Sequence, residues 1–141
     1  MKLETLTASQ AAKLLENKEV SSVELTQACL DRIELRNGEV GAFAHIDPEF
    51  SLKQAALADS EPRRSSFQGV PFGVKDVIDT KDFLTERGTP IHAGRQPVAD
   101  AKCVQLMREA GAVLLGKLVS TEYAMFTPNE TRHPLDLTRT A

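Results

Sequence analysis

Helical periodicity dominates the first 60 residues. Capping-box pairs, in which two side chains satisfy free N–H groups of a first turn, occur at Thr7 with Gln10 and at Ser21 with Glu24, and each pair predicts the start of a helix. The second helix carries one apolar stripe at spacings of three and four. The stripe consists of Leu25, Ala28, Cys29 and Ile33. Asn37-Gly38 predicts the end of this helix, because both residues tolerate a left-handed backbone.

A short apolar segment over residues 40–46 follows and is a candidate strand. Asp47 then predicts the cap of a third helix, with Pro48 at its first position, where a missing N–H costs nothing. We expect that helix to run to about Ser60, and residues 60–69 to form a polar loop.

Beyond residue 69 the pattern changes to strand, helix and strand. Residues 69–78 and 112–116 are predicted strands, and between them Asp100 is the predicted cap of a helix over residues 101–111. This order indicates an α/β fold with a parallel layer. We expect one domain over residues 1–141, mainly helical over 1–60 and strand-helix-strand over 69–141.

Lys75 interrupts the first of these strands, "GVPFGVKDVI". Alternation puts Val70, Phe72 and Val74 on one face and Lys75 on the other, among small residues. Two interpretations remain open from spacing alone. Lys75 is either a strand-end lysine that reaches water, or a partly desolvated amine whose neutral form acts as a base.

Composition limits the function classes. The 141 residues are 41% hydrophobic and 26% charged with net charge −3, which is typical of a soluble folded domain. No basic stripe predicts a nucleic-acid partner, and no apolar run predicts a membrane span or a signal peptide, so we expect a cytoplasmic protein. The cysteines and histidines lack metal-ligand spacing, so neither a metal nor a cofactor is expected.

Two ordered motifs resemble the amidase signature family. "GVPFGVKDVID" (69–79) is similar to that family's G-[IV]-P-x-x-[VI]-K-D strand, and "AGAVLLGK" (110–117) is similar to its A-G-A-x-x-x-G-K strand. Residues 20–34 and 37–47 also resemble the family's N-terminal helices and the segment that joins them to the sheet. The resemblance implies N-terminal helices followed by the first part of a mixed, largely parallel sheet covered by helices, an incomplete amidase signature fold.

The resemblance also implies a role for Lys75 as the base of a Ser-Ser-Lys triad. In such enzymes the lysine takes a proton from a bridging serine, which takes one from a nucleophilic serine, and that serine attacks an amide carbonyl to give an acyl-enzyme. The substrate is then a small-molecule amide. After Ala141 the family continues into a Gly-Gly-Ser-Ser-rich loop, so we expect an N-terminal fragment that carries only the lysine, is inactive alone, and self-associates or dimerises through strand edges.

Other residues near the motifs have less defined roles. Asp76 and Asp79 are expected to cap turns or backbone groups. Lys117 of the G-K pair is either an exposed strand-end charge or a polar contact. In "STEYAMFTP", Tyr123, Met125 and Phe126 either line an acyl pocket, as the matching region of relatives does, or belong to a core, and Met125 is kept as a pocket candidate.

Three functions remain open. The favoured one is an amide hydrolase. The second is the tRNA-linked glutamine amidotransferase subunit of the same family. Its motif after the G-K pair has Thr-Asn and then an acidic residue before Phe-Ala-Met, and "GKLVSTEYAMF" of this chain matches it only in part. The third is a truncated, non-enzymatic product that binds a partner or has no function.

Overall fold

The computed structural model describes residues 2–125 and 127–141. The α-helices are α1 (Ala8–Glu16), α2 (Ser22–Val40), α3 (Pro48–Ser60) and α4 (Lys102–Glu109). The strands are β1 (Phe43–Ile46), β2 (Pro71–Lys75), β3 (Val113–Leu118), β4 (Arg132–His133) and β5 (Asp136–Thr140). Short 3-10 helices lie at Leu3–Thr5, Pro90–His92 and Glu122–Ala124.

The predicted helix starts are confirmed. Thr7 forms the capping box at the start of α1. At the start of α2, the Glu24 carboxylate accepts from the Ser21 N–H at 2.9 Å, and the Glu24 N–H donates to the Ser21 hydroxyl at 3.1 Å. The Asp47 side chain accepts from the Phe50 N–H at 3.0 Å, so that α3 begins where it was predicted.

The predicted end of α2 at Asn37-Gly38 is wrong, because the helix continues to Val40. Gly41, with φ 65°, is the residue that ends it, and its N–H donates to the Asn37 carbonyl at 2.7 Å. The Asn37 side chain has a different task. It accepts from the Phe43 N–H at 2.8 Å and donates to the Phe43 carbonyl at 3.0 Å, which ties β1 to the helix.

The main sheet has the order β1-β3-β2, and β4 pairs with β5 in a separate two-stranded sheet. β1 runs antiparallel to β3. β2 runs parallel to β3, since the Val113 N–H donates to Val70 at 3.0 Å and the Asp76 N–H donates to Leu118 at 2.9 Å. The sheet is therefore mixed, and the α/β fold class is confirmed. β3, the central strand, is buried from Val113 to Lys117.

The chain forms two compact units. One contains Asp47–Phe72, Gln105–Leu115 and the described residues up to Arg32. Its apolar core consists of Ala11, Leu15, Leu25 and Val70. Two buried hydroxyls add hydrogen bonds between helices and other segments of this unit. Ser51 Oγ of α3 donates to the Leu114 carbonyl at 2.9 Å, and Ser22 Oγ of α2 donates to the Gly69 carbonyl at 2.9 Å.

The other unit contains Ile33–Ile46, Gly73–Val104 and the described part of Gly116–Ala141. It therefore includes β1, the end of β2 with Lys75, and the end of β3 with Lys117. Among the helices that the structure describes, none combines the length and the apolar character needed to cross a bilayer.

Candidate active site

Lys75 is the last residue of β2, and its side chain is exposed. The predicted alternation is confirmed, because Val74 is buried at 5% exposure and Gly73, on the same face as Lys75, is exposed. The exposed side chain agrees with the interpretation of Lys75 as a strand-end lysine that reaches water. Partial desolvation of its amine in a complete site stays a prediction. Loss of hydration needs walls around the amine, and the Lys75 side chain is exposed among the residues that the structure describes.

Lys117 is the buried lysine of the site, with no exposed surface. Its Nζ donates to the Ile78 carbonyl at 2.6 Å, to Thr85 Oγ1 at 2.7 Å and to Thr80 Oγ1 at 3.4 Å. Asp76 Oδ1 lies 3.9 Å from the same nitrogen. The interpretation of Lys117 as an exposed strand-end charge is therefore wrong, and the polar-contact interpretation is confirmed.

Burial also changes the chemistry of Lys117. Loss of hydration lowers the pKa of its amine from the usual 10.5 to about 8, although the carboxylates of Asp76 and Asp79 act in the opposite direction. An apolar run on both sides, "AVLLGKLV", was the sequence signal that this lysine is buried. Its partners could not be read from sequence, because they lie 32 to 39 residues away in the chain.

Both aspartates are structural, as predicted: Asp76 has the expected backbone-capping role, whereas the Asp79 carboxylate pairs with a side chain. The buried carboxylate of Asp76 accepts from the Glu86 N–H at 3.1 Å and from the Gly88 N–H at 3.3 Å. Asp79 makes a bidentate ion pair with Arg95 at 2.7 and 2.8 Å, and the hydrogen bonds from Arg95 lower the pKa of that carboxyl. Both aspartates therefore fix the loop that follows β2.

Two histidines in this unit, His45 and His92, each lie within hydrogen-bond distance of one side chain. His45 Nε2 lies 2.9 Å from Glu86 Oε2, and the other oxygen of Glu86 accepts from the Gly94 N–H at 2.7 Å. His92 Nε2 lies 2.9 Å from the Tyr123 hydroxyl. Within residues 2–125 and 127–141, no three His, Cys, Asp or Glu side chains come together as a metal site.

The segment proposed to line an acyl pocket lies at the surface. Met125 is 57% exposed and Tyr123 is 43% exposed, so neither belongs to a core. Phe126 lies outside the described residues. A side chain as open as that of Met125 does not by itself enclose a pocket, and its assignment to the substrate site stays a prediction.

Comparison with known proteins decides the family. The family model described as Amidase matches residues 24–141, which is most of the chain. The chain belongs to the amidase family. The sequence resemblance is thereby confirmed, and Lys75 and Lys117 both lie within the matched residues.

The relatives and structural neighbours of this amidase-family chain are much longer than it is. A glutamyl-tRNA(Gln) amidotransferase subunit from Chloroflexus aggregans is 40% identical over 97% of the chain and 30% of the relative. The native peptide amidase from Stenotrophomonas maltophilia is 32% identical with a TM-score of 0.80, over 91% of this chain and 27% of that one. A structure of a vestigial protein complex related to the origin of an s-triazine catabolic enzyme gives a TM-score of 0.86 at 26% identity, over 94% of this chain and 31% of that one.

The chain spans about 30% of the length of the curated relatives that it matches. Its fold is accordingly the first part of the amidase fold, as the sequence implied. The activities of these longer relatives belong to chains with elements that residues 1–141 do not contain.

Proposed function

We propose that this chain supplies the general base of an amide hydrolase and that Lys75 is that base. The observation that carries the proposal is the position of the Lys75 amine. Lys75 lies in the family-matched region at the end of a hydrogen-bonded strand, and its side chain is exposed where a substrate or a serine can reach it.

The buried alternative, Lys117, does not suit this role. Its amine is enclosed, and it already donates to one carbonyl and two hydroxyls. A general base must come within hydrogen-bond reach of the proton that it removes. Of these two lysines, Lys75 is the one whose amine is open to a reacting group.

In the proposed reaction, neutral Lys75 accepts a proton from a bridging serine as that serine accepts one from the nucleophilic serine. The oxygen of the nucleophilic serine bonds to the carbonyl carbon of the amide, the C–N bond breaks, and the amine leaves with a proton. Water then hydrolyses the acyl-enzyme and releases the acid. Both serines would come from residues outside 1–141. Those residues must also desolvate the Lys75 amine, since β2 leaves it in water here.

The test uses the complete product of the gene that contains this chain, assayed for ammonia release from small carboxamides and a peptide amide. Lys75→Ala is compared with Lys102→Ala, which removes an exposed lysine at the start of α4. We expect Lys75→Ala to lower kcat/KM by about 10²–10⁴-fold, the usual contribution of a general base, and Lys102→Ala to leave it unchanged. The melting temperature should stay nearly constant in both variants.

Equal activity of Lys75→Ala and the parent protein would overturn the assignment of the base. A complete protein that releases no ammonia from any of these amides would overturn the hydrolase itself.

A second candidate, amide transfer, is favoured by one specific observation. Relatives 38–40% identical to this chain are named as subunits of glutamyl-tRNA(Gln) amidotransferase. Such an enzyme would use the same lysine to release the amide group and would pass it to glutamyl-tRNA(Gln). Glutamine-dependent conversion of glutamyl-tRNA(Gln) by the complete protein and its partner subunits, without comparable turnover of small amides, would establish this candidate in place of the first.

A further inference from the structure

The buried amine of Lys117 is connected to the backbone of Lys75 through two hydrogen bonds. Lys117 Nζ donates to the Ile78 carbonyl at 2.6 Å, and the Ile78 N–H donates to the Lys75 carbonyl at 2.9 Å. A side chain of the neighbouring strand β3 is thus hydrogen-bonded to the turn that ends β2. This turn therefore links the Lys117 side chain to the backbone of Lys75.

The same amine gathers the rest of the loop that follows Lys75. Its hydrogen bonds to Thr80 and Thr85 draw two separated points of the loop to one atom, and both threonines are fully buried. Next to it, the Asp76 carboxylate holds the N–H groups of Glu86 and Gly88. Hydrogen bonds to the Lys117 amine and to the neighbouring Asp76 carboxylate therefore hold several points of the loop over residues 76–88.

We propose that Lys117 is a positioning residue for Lys75, which sets the direction of the Lys75 side chain by fixing the turn at residues 75–78. The inference rests on the proposed function, since it assigns Lys117 a role in the reaction that Lys75 carries out. An apolar residue could fill the same volume. It would leave the Ile78 carbonyl and two hydroxyls without this donor, and the loop would have to move to satisfy them.

A small displacement of a catalytic group is enough to matter. A misplacement of about 1 Å caused by a change away from the chemistry can lower a rate by about 10²-fold. We therefore expect Lys117→Met, which keeps the length and removes the amine, to lower kcat by about this factor in the complete gene product. KM should change less than about twofold, because Lys117 does not reach the substrate.

A first experiment uses the 141-residue chain itself and measures amide exchange by NMR. In Lys117→Met we expect at least about tenfold faster exchange at Ile78, Glu86 and Gly88, and altered side-chain resonances of Lys75. The matched control, Lys102→Met, removes an exposed lysine and should change neither. Unchanged exchange and an unchanged Lys75 signal in Lys117→Met would overturn the proposal.

A second experiment compares kinetics of the complete protein. A loss of kcat in Lys75→Ala but not in Lys117→Met would overturn the positioning role and leave the proposed function intact. Full activity in Lys75→Ala would overturn the proposed function instead.

If Lys117→Met does not fold, Thr85→Val tests the positioning role of Lys117 instead. It removes one acceptor of the Lys117 amine at nearly constant volume and leaves the lysine in place. We expect about a tenfold lower kcat with nearly unchanged KM, and an unaltered kcat would overturn the proposal.

Discussion

The buried Lys117 should make the stability of this chain rise with pH in an alkaline window. The pKa of its amine is about 8 in the folded protein, against 10.5 ordinarily, so the folded state holds the charged form at a disadvantage. Between these two values the unfolded chain binds more protons than the folded chain. The free energy of unfolding therefore increases as pH rises from about 8 to 10.5.

The size of this effect follows from the shift. A drop of about 2.5 units from 10.5 to about 8 corresponds to about 3 kcal/mol at about 1.36 kcal/mol per unit. The carboxylates of Asp76 and Asp79 oppose the shift, and the Arg95 guanidinium adds to it. Lys117→Met removes the titrating group. Its curve should lack this rise.

Urea unfolding of the 141-residue chain, followed by circular dichroism from pH 7 to 10.5, measures the effect. Other titratable groups are present, including the Cys29 thiol, whose pKa is raised by burial. The difference between the parent chain and Lys117→Met cancels their contribution, and Lys102→Met serves as the control for loss of an exposed lysine. Parallel curves for the parent and Lys117→Met would refute the depressed pKa of Lys117.

Two further predictions concern the chain as a whole. Asp47→Ala removes the cap of α3 and should lower the free energy of unfolding by about 1 kcal/mol in a urea titration; no change would contradict the capping role. The isolated chain should show no amidase activity above a Lys75→Ala control and should self-associate, because β1 and β2 are edge strands of the sheet that its described residues form. A concentration-independent monomer in sedimentation, with slow amide exchange in β2, would contradict the association.

Local features of the fold were predictable because their causes are local. The capping pairs at Thr7 and Ser21 act within one turn, and the structure begins α1 and α2 there. The end of α2 was not predictable from Asn37-Gly38, since the Asn37 side chain is used by Phe43 of β1. Gly38 and Gly41 can each end a helix. The hydrogen bonds between Asn37 and Phe43 across the turn accompany the end of α2 at Gly41.

The candidate site also has features that the sequence predicts and features that it does not. Alternation along β2 placed Lys75 on the face opposite Val74, but exposure of that face depends on what covers it, and no pattern within the strand reports that. For Lys117, the apolar run around it was compatible with burial. The loop that supplies its three acceptors made burial possible, and such long-range pairing of a charge with a carbonyl and two hydroxyls has no local signature.

Chemical rescue of Lys75→Ala in the complete gene product tests the role of Lys75 most directly. In the complete site, removal of the Lys75 side chain should leave a space next to the serines that a small primary amine can enter. We predict that added ethylamine or propylamine restores amide hydrolysis in proportion to the concentration of its free base, while tetramethylammonium, which has no proton-accepting nitrogen, restores none. No recovery with primary amines, or equal recovery with tetramethylammonium, would contradict a general base at position 75.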